Sequence, residues 1–239
     1  MLAATLLAPA KLTLSLRITG VRHDGYHEID AEMVTVDLID QLELTDGDGL
    51  EVVGASGLPV SKGDDNLVRR ALKLIGRTAH VRLTKRIPAG AGLGGGSADA
   101  AAVLRWAGIE DPAVAARLGA DVPFCVTGGR ARVTGIGDHL TALAHEDQVF
   151  TISIPPLGCP TPVVYRTWDD LGGPAGAGAN DLEPAALVVE PRLAEWRDRL
   201  GDATGRTPIL AGSGSTWFVP GAFADAGRVV RTTGGEGLV

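Results

Sequence analysis

The sequence predicts a mixed fold of strands and helices, and three stretches carry that reading. Residues 10–18 alternate, with Ala10, Leu12, Leu14, Leu16 and Ile18 on one face and Lys11, Thr13, Ser15 and Arg17 on the other, which is the period of a half-buried strand. Leu67, Ala71 and Leu74 recur at helical spacing within residues 66–75. Between a strand-like run, Val81 to Ile87, and an Ala-rich helical run, Asp99 to Leu104, lies Pro88-Ala89-Gly90-Ala91-Gly92-Leu93-Gly94-Gly95-Gly96-Ser97-Ala98.

The remaining elements follow in order. A polar link, Thr19 to Tyr26, carries an Asp24-Gly25 turn signal and leads into an extended region from about His27 to Leu44. Residues 45–65 are rich in Gly and Asp and read as loop. Helices are expected from Ala98 and over Pro112 to Leu118, the second with proline in its first turn and Gly119 just past its end. Arg130 to Gly135 and Val149 to Ile154 read as strands. A composition break falls at Pro155-Pro156, a Gly/Ala-rich loop at Gly172 to Ala179, helical text at Arg192 to Leu200, and a second glycine turn at Gly212-Ser213-Gly214. A soft domain boundary falls near residue 150.

Composition bounds the function. A chain of 239 residues, 45% hydrophobic, can bury a real core as one large domain or two modest ones. Aromatics make up only 4%, so that core rests on Ala, Val, Leu and Ile. A net charge of −7 argues against non-specific binding to nucleic acid or membranes. No apolar run approaches the ~18–20 residues of a membrane span. Met1 to Leu7 is apolar but lacks a basic n-region, so no signal peptide is expected. Two cysteines, Cys125 and Cys159, suggest buried small hydrophobes rather than a disulfide framework, and the five histidines show no metal-ligand spacing. The expected compartment is the cytoplasm, and no metal-ligating side chain is assigned.

The glycine segment points to phosphate. Its five glycines between Gly90 and Gly96 allow close backbone approach, and free amides at the start of a helix attract anions. Three named loops are tested against it. Walker A fails because no lysine stands beside Ser97. Gly90-x-Gly92-x-x-Gly95 matches the dinucleotide fingerprint as a string, but the preceding strand carries Arg82, Thr84, Lys85 and Arg86, and no acidic residue closes a second strand ~20 residues on. The partner motifs of protein kinases are absent.

Proline, three residues, Gly-Leu-Gly, small residues, Ser and an Ala-rich helix resemble the second motif of the GHMP kinases, which act on galactose, homoserine, mevalonate and phosphomevalonate. Ala8-Pro9-Ala10-Lys11-Leu12-Thr13-Leu14 resembles the first motif of that family, and Leu210-Ala211-Gly212-Ser213-Gly214-Ser215-Thr216 the third. Arg22-His23-Asp24-Gly25-Tyr26-His27, Gly119-Ala120-Asp121-Val122-Pro123-Phe124, Thr161-Pro162-Val163-Val164-Tyr165 and Asn180-Asp181-Leu182-Glu183 follow in the order of its cytidyl-substrate branch.

The resemblance implies an α+β fold of two domains with the site in their cleft. Residues 1–150 would form an ATP-binding domain like domain 2 of ribosomal protein S5, and residues 151–239 a ferredoxin-like domain. It implies ATP-dependent phosphorylation, with Mg²⁺, of the 2-hydroxyl of a cytidine-diphosphate-linked methylerythritol in non-mevalonate isoprenoid synthesis. The implied partner is that small molecule, with no nucleic acid or membrane, acting on a monomer or homodimer. Another small-molecule kinase of the family, or a non-catalytic nucleotide binder on the same fold, stays open beside it.

The implied roles are these. Lys11 and Asp121 form the catalytic pair, Asp121 taking the hydroxyl proton. Pro88 through Ala98, with Asn66 and Lys85, hold ATP. Ser97 suits either a helix N-cap or a contact to phosphate or Mg²⁺. Thr13, Tyr26, His27, Thr161, Tyr165, Gly212 and Ser213 hold the acceptor, Tyr26 and Tyr165 stacking on cytosine and His27 bonding its edge. Met33 stands where an aromatic would be expected. Pro123 biases Val122 toward extended geometry, so Asp121 is expected on a sharp, well-fixed exit after the helix stop at Gly119.

Overall fold

The computed structural model describes residues 3–54, 58–176 and 178–235. Met1 and Leu2 of the apolar N-terminal run, residues 55–57 of the expected loop, Ala177 of the Gly/Ala-rich stretch and residues 236–239 lie outside the described residues.

Strands β1 (Ala3–Val21) and β2 (His27–Thr45) form one long antiparallel ladder. They join at the Asp24-Gly25 turn, where Asp24 Oδ1 accepts the Tyr26 N–H at 3.2 Å. Their register slips at Pro9/Lys11, Thr13/Ser15 and Ile18/Gly20. Such slips bend a long strand, and a proline with no N–H to give to the ladder stands at the first. The alternation at 10–18 marks the strand but not its burial. Ala8 through Thr13 are buried on both faces, because the segments around Leu93 and Gly212 cover the polar side. The Lys11 N–H donates to the Leu93 carbonyl at 3.1 Å.

The far edge of β2 pairs with β4 (His80–Thr84) through residues 41–45 and with β5 (Arg130–Gly135) through residues 29–34. β3 (Gly49–Val53) lies parallel to β4, and β6 (His139–Ala142) antiparallel to β5. β3 corrects the loop expected over 45–65: pairing with β4 overrides weak local propensity. β4 ends at Thr84 rather than Ile87, because the N–H groups of Arg86 and Ile87 turn to the Asp40 carboxylate.

Four helices belong to this half: α1 (Leu67–Leu74), α2 (Gly95–Trp106), α3 (Pro112–Ala116) and α4 (Val122–Thr127). α2 packs on β1, α1 and α4 through Ala98, Ala100, Ala101, Ala102, Val103 and Leu104, all buried. Its alanines let the backbones approach closely. α4 overturns the extended geometry expected of Val122. Val122 and Pro123 are its first two residues, where a proline's missing N–H has no helical partner to lose.

The second sheet runs in the order β10 (Arg228–Arg231), β7 (Val149–Ser153), β9 (Trp217–Pro220), β8 (Ile209–Leu210), with every neighbour antiparallel. Helices α5 (Thr161–Asp170), α6 (Glu183–Val189) and α7 (Leu193–Thr204) come between β7 and β8. This is the strand arrangement of a β-α-β-β-α-β unit with its second helix replaced by a short crossover, residues 221–227. Buried Thr151 pins that crossover: its hydroxyl donates to the Gly221 carbonyl at 2.8 Å and accepts the Phe223 N–H at 2.9 Å. The two sheets share a core in which Leu12, Val34 and Val36 pack with Phe150, Phe218 and Val230. Among the described residues no helix is long and apolar enough to cross a membrane.

Candidate active site

The glycine segment builds a helix start. Gly94 takes a left-handed φ of +67° as N-cap of α2, so the helix begins at Gly95, three residues before Ala98. Ser97 is therefore the third helical residue and not the cap, which leaves its hydroxyl for other work. The first-turn amides of Gly95, Gly96 and Ser97 have no carbonyl one turn back and stand at the positive end of the helix dipole. A Cβ on Gly94 would lie 2.7 Å from Lys11 Cγ, and one on Gly92 would lie 2.5 Å from the Gly214 carbonyl oxygen and 2.8 Å from that of Ala211. Glycine is what lets the first, second and third motifs meet. Thr216 ties the last two together, donating from its amide at 3.2 Å and its hydroxyl at 2.7 Å to the Ala91 carbonyl.

Two cavities open on either side of this loop. The larger, about 610 Å³, is lined by Lys11, Thr13, Tyr26, His27, Asp121, Thr161, Tyr165, Gly212 and Ser213 among others. The smaller, about 380 Å³, is lined by Asn66, Leu67, Lys85, Asp99 and every residue from Pro88 to Ser97. Gly92, Gly94 and Ser97 face both. Of the positions expected from sequence, Ala98 alone lines neither cavity; it is buried inside α2. Met33 is buried and lines the larger one.

Lys11 and Asp121 come together in the larger cavity. Lys11 Nζ stands 3.3 Å from Asp121 Oδ2 and donates to Thr13 Oγ1 at 3.2 Å. The lysine side chain is 6% exposed and the aspartate 37%, so the carboxylate faces the cavity while its partner sits beneath it. Asp121 occupies the N-cap position of α4 but makes no capping bond, leaving its oxygens to Lys11 and the cavity. A Cβ on Gly212 would lie 3.6 Å from the same ammonium. Thr161 and Ser213 hydroxyls, 2.8 Å apart, join the start of α5 to the third motif.

The far end of the cavity is aromatic. The His27 and Tyr165 rings lie 4.8 Å apart, and Trp168 meets His27 edge-on at 5.6 Å. Asp169 Oδ1 is 2.8 Å from His27 Nε2. Tyr26 is largely exposed at the rim. Trp168 and Asp169 escape the sequence reading, yet their signal was available. Thr161, Tyr165, Trp168 and Asp169 repeat at the spacing of one helix face, behind a proline in the first turn.

Lys85 is corrected. It lines the smaller cavity, and its ammonium is paired with two carboxylates, Asp40 and, at 2.7 Å, Asp99. All three side chains are nearly inaccessible. Burial works to lower the Lys85 pKa, but the charges of Asp99 and Asp40 outweigh it and the net shift is upward. Burial, with Asp40 adding to it against the pull of Lys85, raises Asp99 to about 7. The group joins both ends of the glycine loop, since Asp40 holds the Arg86 and Ile87 amides and Asp99 lies in α2. Sequence pointed to Lys85 and missed its partners, although Asp40 interrupts the apolar face made by Leu38, Leu42 and Leu44.

Asn180 supports the third motif from below: its amide donates to the Leu210 carbonyl at 2.8 Å and the Gly212 carbonyl at 2.6 Å. Asp181 anchors β1 through Arg17 at 2.6 Å and the Ile18 N–H at 2.9 Å. Cys125 and Cys159 are free and buried, and burial pushes their thiols up to about 12 and about 11. Among the described residues no group of three or more acidic, His or Cys side chains is gathered as a metal site.

Comparison with known proteins agrees with this arrangement. A family model described as the GHMP kinases N terminal domain matches residues 66–129. A relative named 4-diphosphocytidyl-2-C-methyl-D-erythritol kinase, from Geobacter sp. (strain M21), is 37% identical over 265 residues, spanning 97% of this chain and 93% of its own. Another of the same name, from Cereibacter sphaeroides (strain KD131 / KCTC 12085), is 35% identical over 253 residues, spanning 92% and 90%. A crystal structure of 4-(cytidine 5'-diphospho)-2C-methyl-D-erythritol kinase superposes with a TM-score of 0.76 at 32% identity, covering 97% of this chain and all of that one. The chain belongs to the 4-diphosphocytidyl-2-C-methyl-D-erythritol kinase family of the GHMP kinases.

Proposed function

We propose that this protein transfers the γ-phosphoryl group of ATP to the 2-hydroxyl of 4-diphosphocytidyl-2-C-methyl-D-erythritol, as a cytoplasmic step in isoprenoid precursor synthesis. One observation carries the reading: a single cavity of about 610 Å³ holds a Lys11–Asp121 pair beside a glycine loop at one end and the His27–Tyr165 rings at the other. A nucleotide binder without chemistry needs no such pair.

Phosphoryl transfer asks a protein for positioning and charge stabilisation. The amides of Gly95, Gly96 and Ser97 and the start of α2 would cradle the triphosphate. The smaller cavity, beside Asn66 and Leu67, would take the adenosine end. The acceptor hydroxyl would stand against Asp121. As its oxygen bonds to the γ-phosphorus, the bond from phosphorus to the β,γ-bridging oxygen breaks, ADP leaves, and the hydroxyl proton passes to the Asp121 carboxylate. Lys11 orients that carboxylate and offsets charge on the transferred group.

The donors near the loop suit a magnesium ion held mainly by phosphates and water, the usual arrangement for nucleotide sites. The Ser97 hydroxyl, freed from capping, and Asp121 are the side chains that would face it. When bound it would neutralise phosphate charge. Residues 1–150 and 151–239 would act as two lobes closing around the ligands.

The test is ADP release with the cytidyl alcohol against homoserine and mevalonate. The reading expects turnover of the cytidyl compound and little of the others. Turnover that ignores it would contradict the assignment.

A further inference from the structure

The aromatic end of the cavity carries a hydrogen-bond polarity. The His27 side chain is 8% exposed and is confined between Tyr165 and Trp168. Its Nε2 lies 2.8 Å from Asp169 Oδ1. A carboxylate only accepts, so Nε2 must carry the hydrogen. A neutral imidazole has one N–H, which makes Nδ1 a lone-pair acceptor. Tyr165, Trp168 and Asp169 ride on the same helix, α5, so the rings that confine His27 and the carboxylate that orients it move as one body.

We propose that Asp169 is a positioning residue that holds His27 with its hydrogen on Nε2, so that the cavity selects a pyrimidine bearing an exocyclic amine over one bearing a carbonyl at that ring position. Cytosine presents an amino donor there, and an acceptor nitrogen pairs with it. Uracil presents a carbonyl oxygen, and two lone pairs then face each other. A site built around such a bond rejects the mismatched analogue far more strongly than an apolar pocket rejects a lost methylene. Without Asp169 the imidazole hydrogen is free to sit on either nitrogen, and both bases find a partner. The inference rests on the proposed kinase reading for the placing of a pyrimidine against His27.

The experiment is calorimetric titration of wild type, Asp169→Ala and Asp169→Asn with cytidine diphosphate and with uridine diphosphate. Saturating non-hydrolysable ATP analogue occupies the nucleotide side, and the pH is about 8, where an ordinary imidazole is neutral. Wild type is expected to prefer the cytidine nucleotide at least ~10-fold. Asp169→Ala should bring the two affinities within ~3-fold of each other, and Asp169→Asn, whose amide oxygen still accepts from Nε2, should keep most of the preference. An Asp169→Ala protein with the wild-type ratio, or a wild type with no preference, overturns the proposal. A wild type that prefers the cytidine nucleotide but releases no ADP with the cytidyl alcohol contradicts the kinase reading instead and leaves the role of Asp169 standing.

Discussion

Lys11 and Asp121 meet at 3.3 Å although one lies mid-strand in β1 and the other begins α4. What brings them together is the glycine loop. Gly94 lets the lysine stem pass, Leu93 fixes its backbone, and α2 carries α4 against β1. Lys11→Met keeps the stem and removes the charge. It should lower kcat by about 10²–10³-fold and leave the KM for ATP within a few-fold. Steady-state kinetics beside a melting curve tests this; wild-type kcat with an unchanged melting temperature would contradict it.

The contact between the second and third motifs makes a sharper steric prediction. Gly92 has a φ of +77°, and a Cβ there would fall 2.5 Å from a carbonyl oxygen. Gly92→Ala should lose about 2–5 kcal/mol of stability from strain and overpacking together, along with measurable ATP affinity. Denaturant unfolding would show it. A variant as stable as wild type would mean that the loop approaches the third motif less closely than described.

The buried Asp40–Lys85–Asp99 group sets a pH dependence. Asp99 is raised to about 7, chiefly by burial, from an unfolded value of ~3.9. A carboxyl with a raised folded pKa contributes stability that is complete below the unfolded value and is lost as pH rises through the folded one. Asp99→Asn cannot ionise. It should flatten the fall in melting temperature between about pH 4 and 7 and leave the protein at least as stable as wild type above that range. Lys85→Met leaves two carboxylates buried without a counter-charge and should cost about 3–5 kcal/mol. Melting curves at both ends of the range decide it; an Asp99→Asn slope equal to wild type would contradict the assignment.

His27 should matter for binding more than for chemistry. His27→Ala is expected to raise the KM for the cytidyl alcohol by about 10–100-fold with kcat changed less than ~3-fold. A loss confined to kcat would place His27 at the reacting atoms instead.

Much of this site was legible before any fold was known, for a physical reason. A phosphate loop needs glycine where backbones touch, and Gly92 and Gly94 stand where those contacts occur. Lys11 and Asp121 were legible through the order of motifs, not through local chemistry, since each alone is an ordinary charged residue. What escaped was tertiary. β3 exists because β4 is there to pair with it. Ser97 lost its capping role because Gly94 starts the helix earlier. The pairing of Lys85 was hidden because Asp40 and Asp99, distant from each other in sequence, come to it only in the fold. Asp169 was hidden because the motif at Thr161 to Tyr165 stops short of it, while the helix face runs on to Asp169.

The most direct test of the central claim is single-turnover phosphorylation of the cytidyl alcohol by wild type and Asp121→Asn, with binding of both substrates measured in parallel. The amide fills the same space but cannot take the hydroxyl proton. The account predicts a fall in the chemical rate of about 10²–10⁴-fold with affinities for ATP and acceptor nearly unchanged. An Asp121→Asn enzyme that phosphorylates the cytidyl alcohol at the wild-type rate would contradict it.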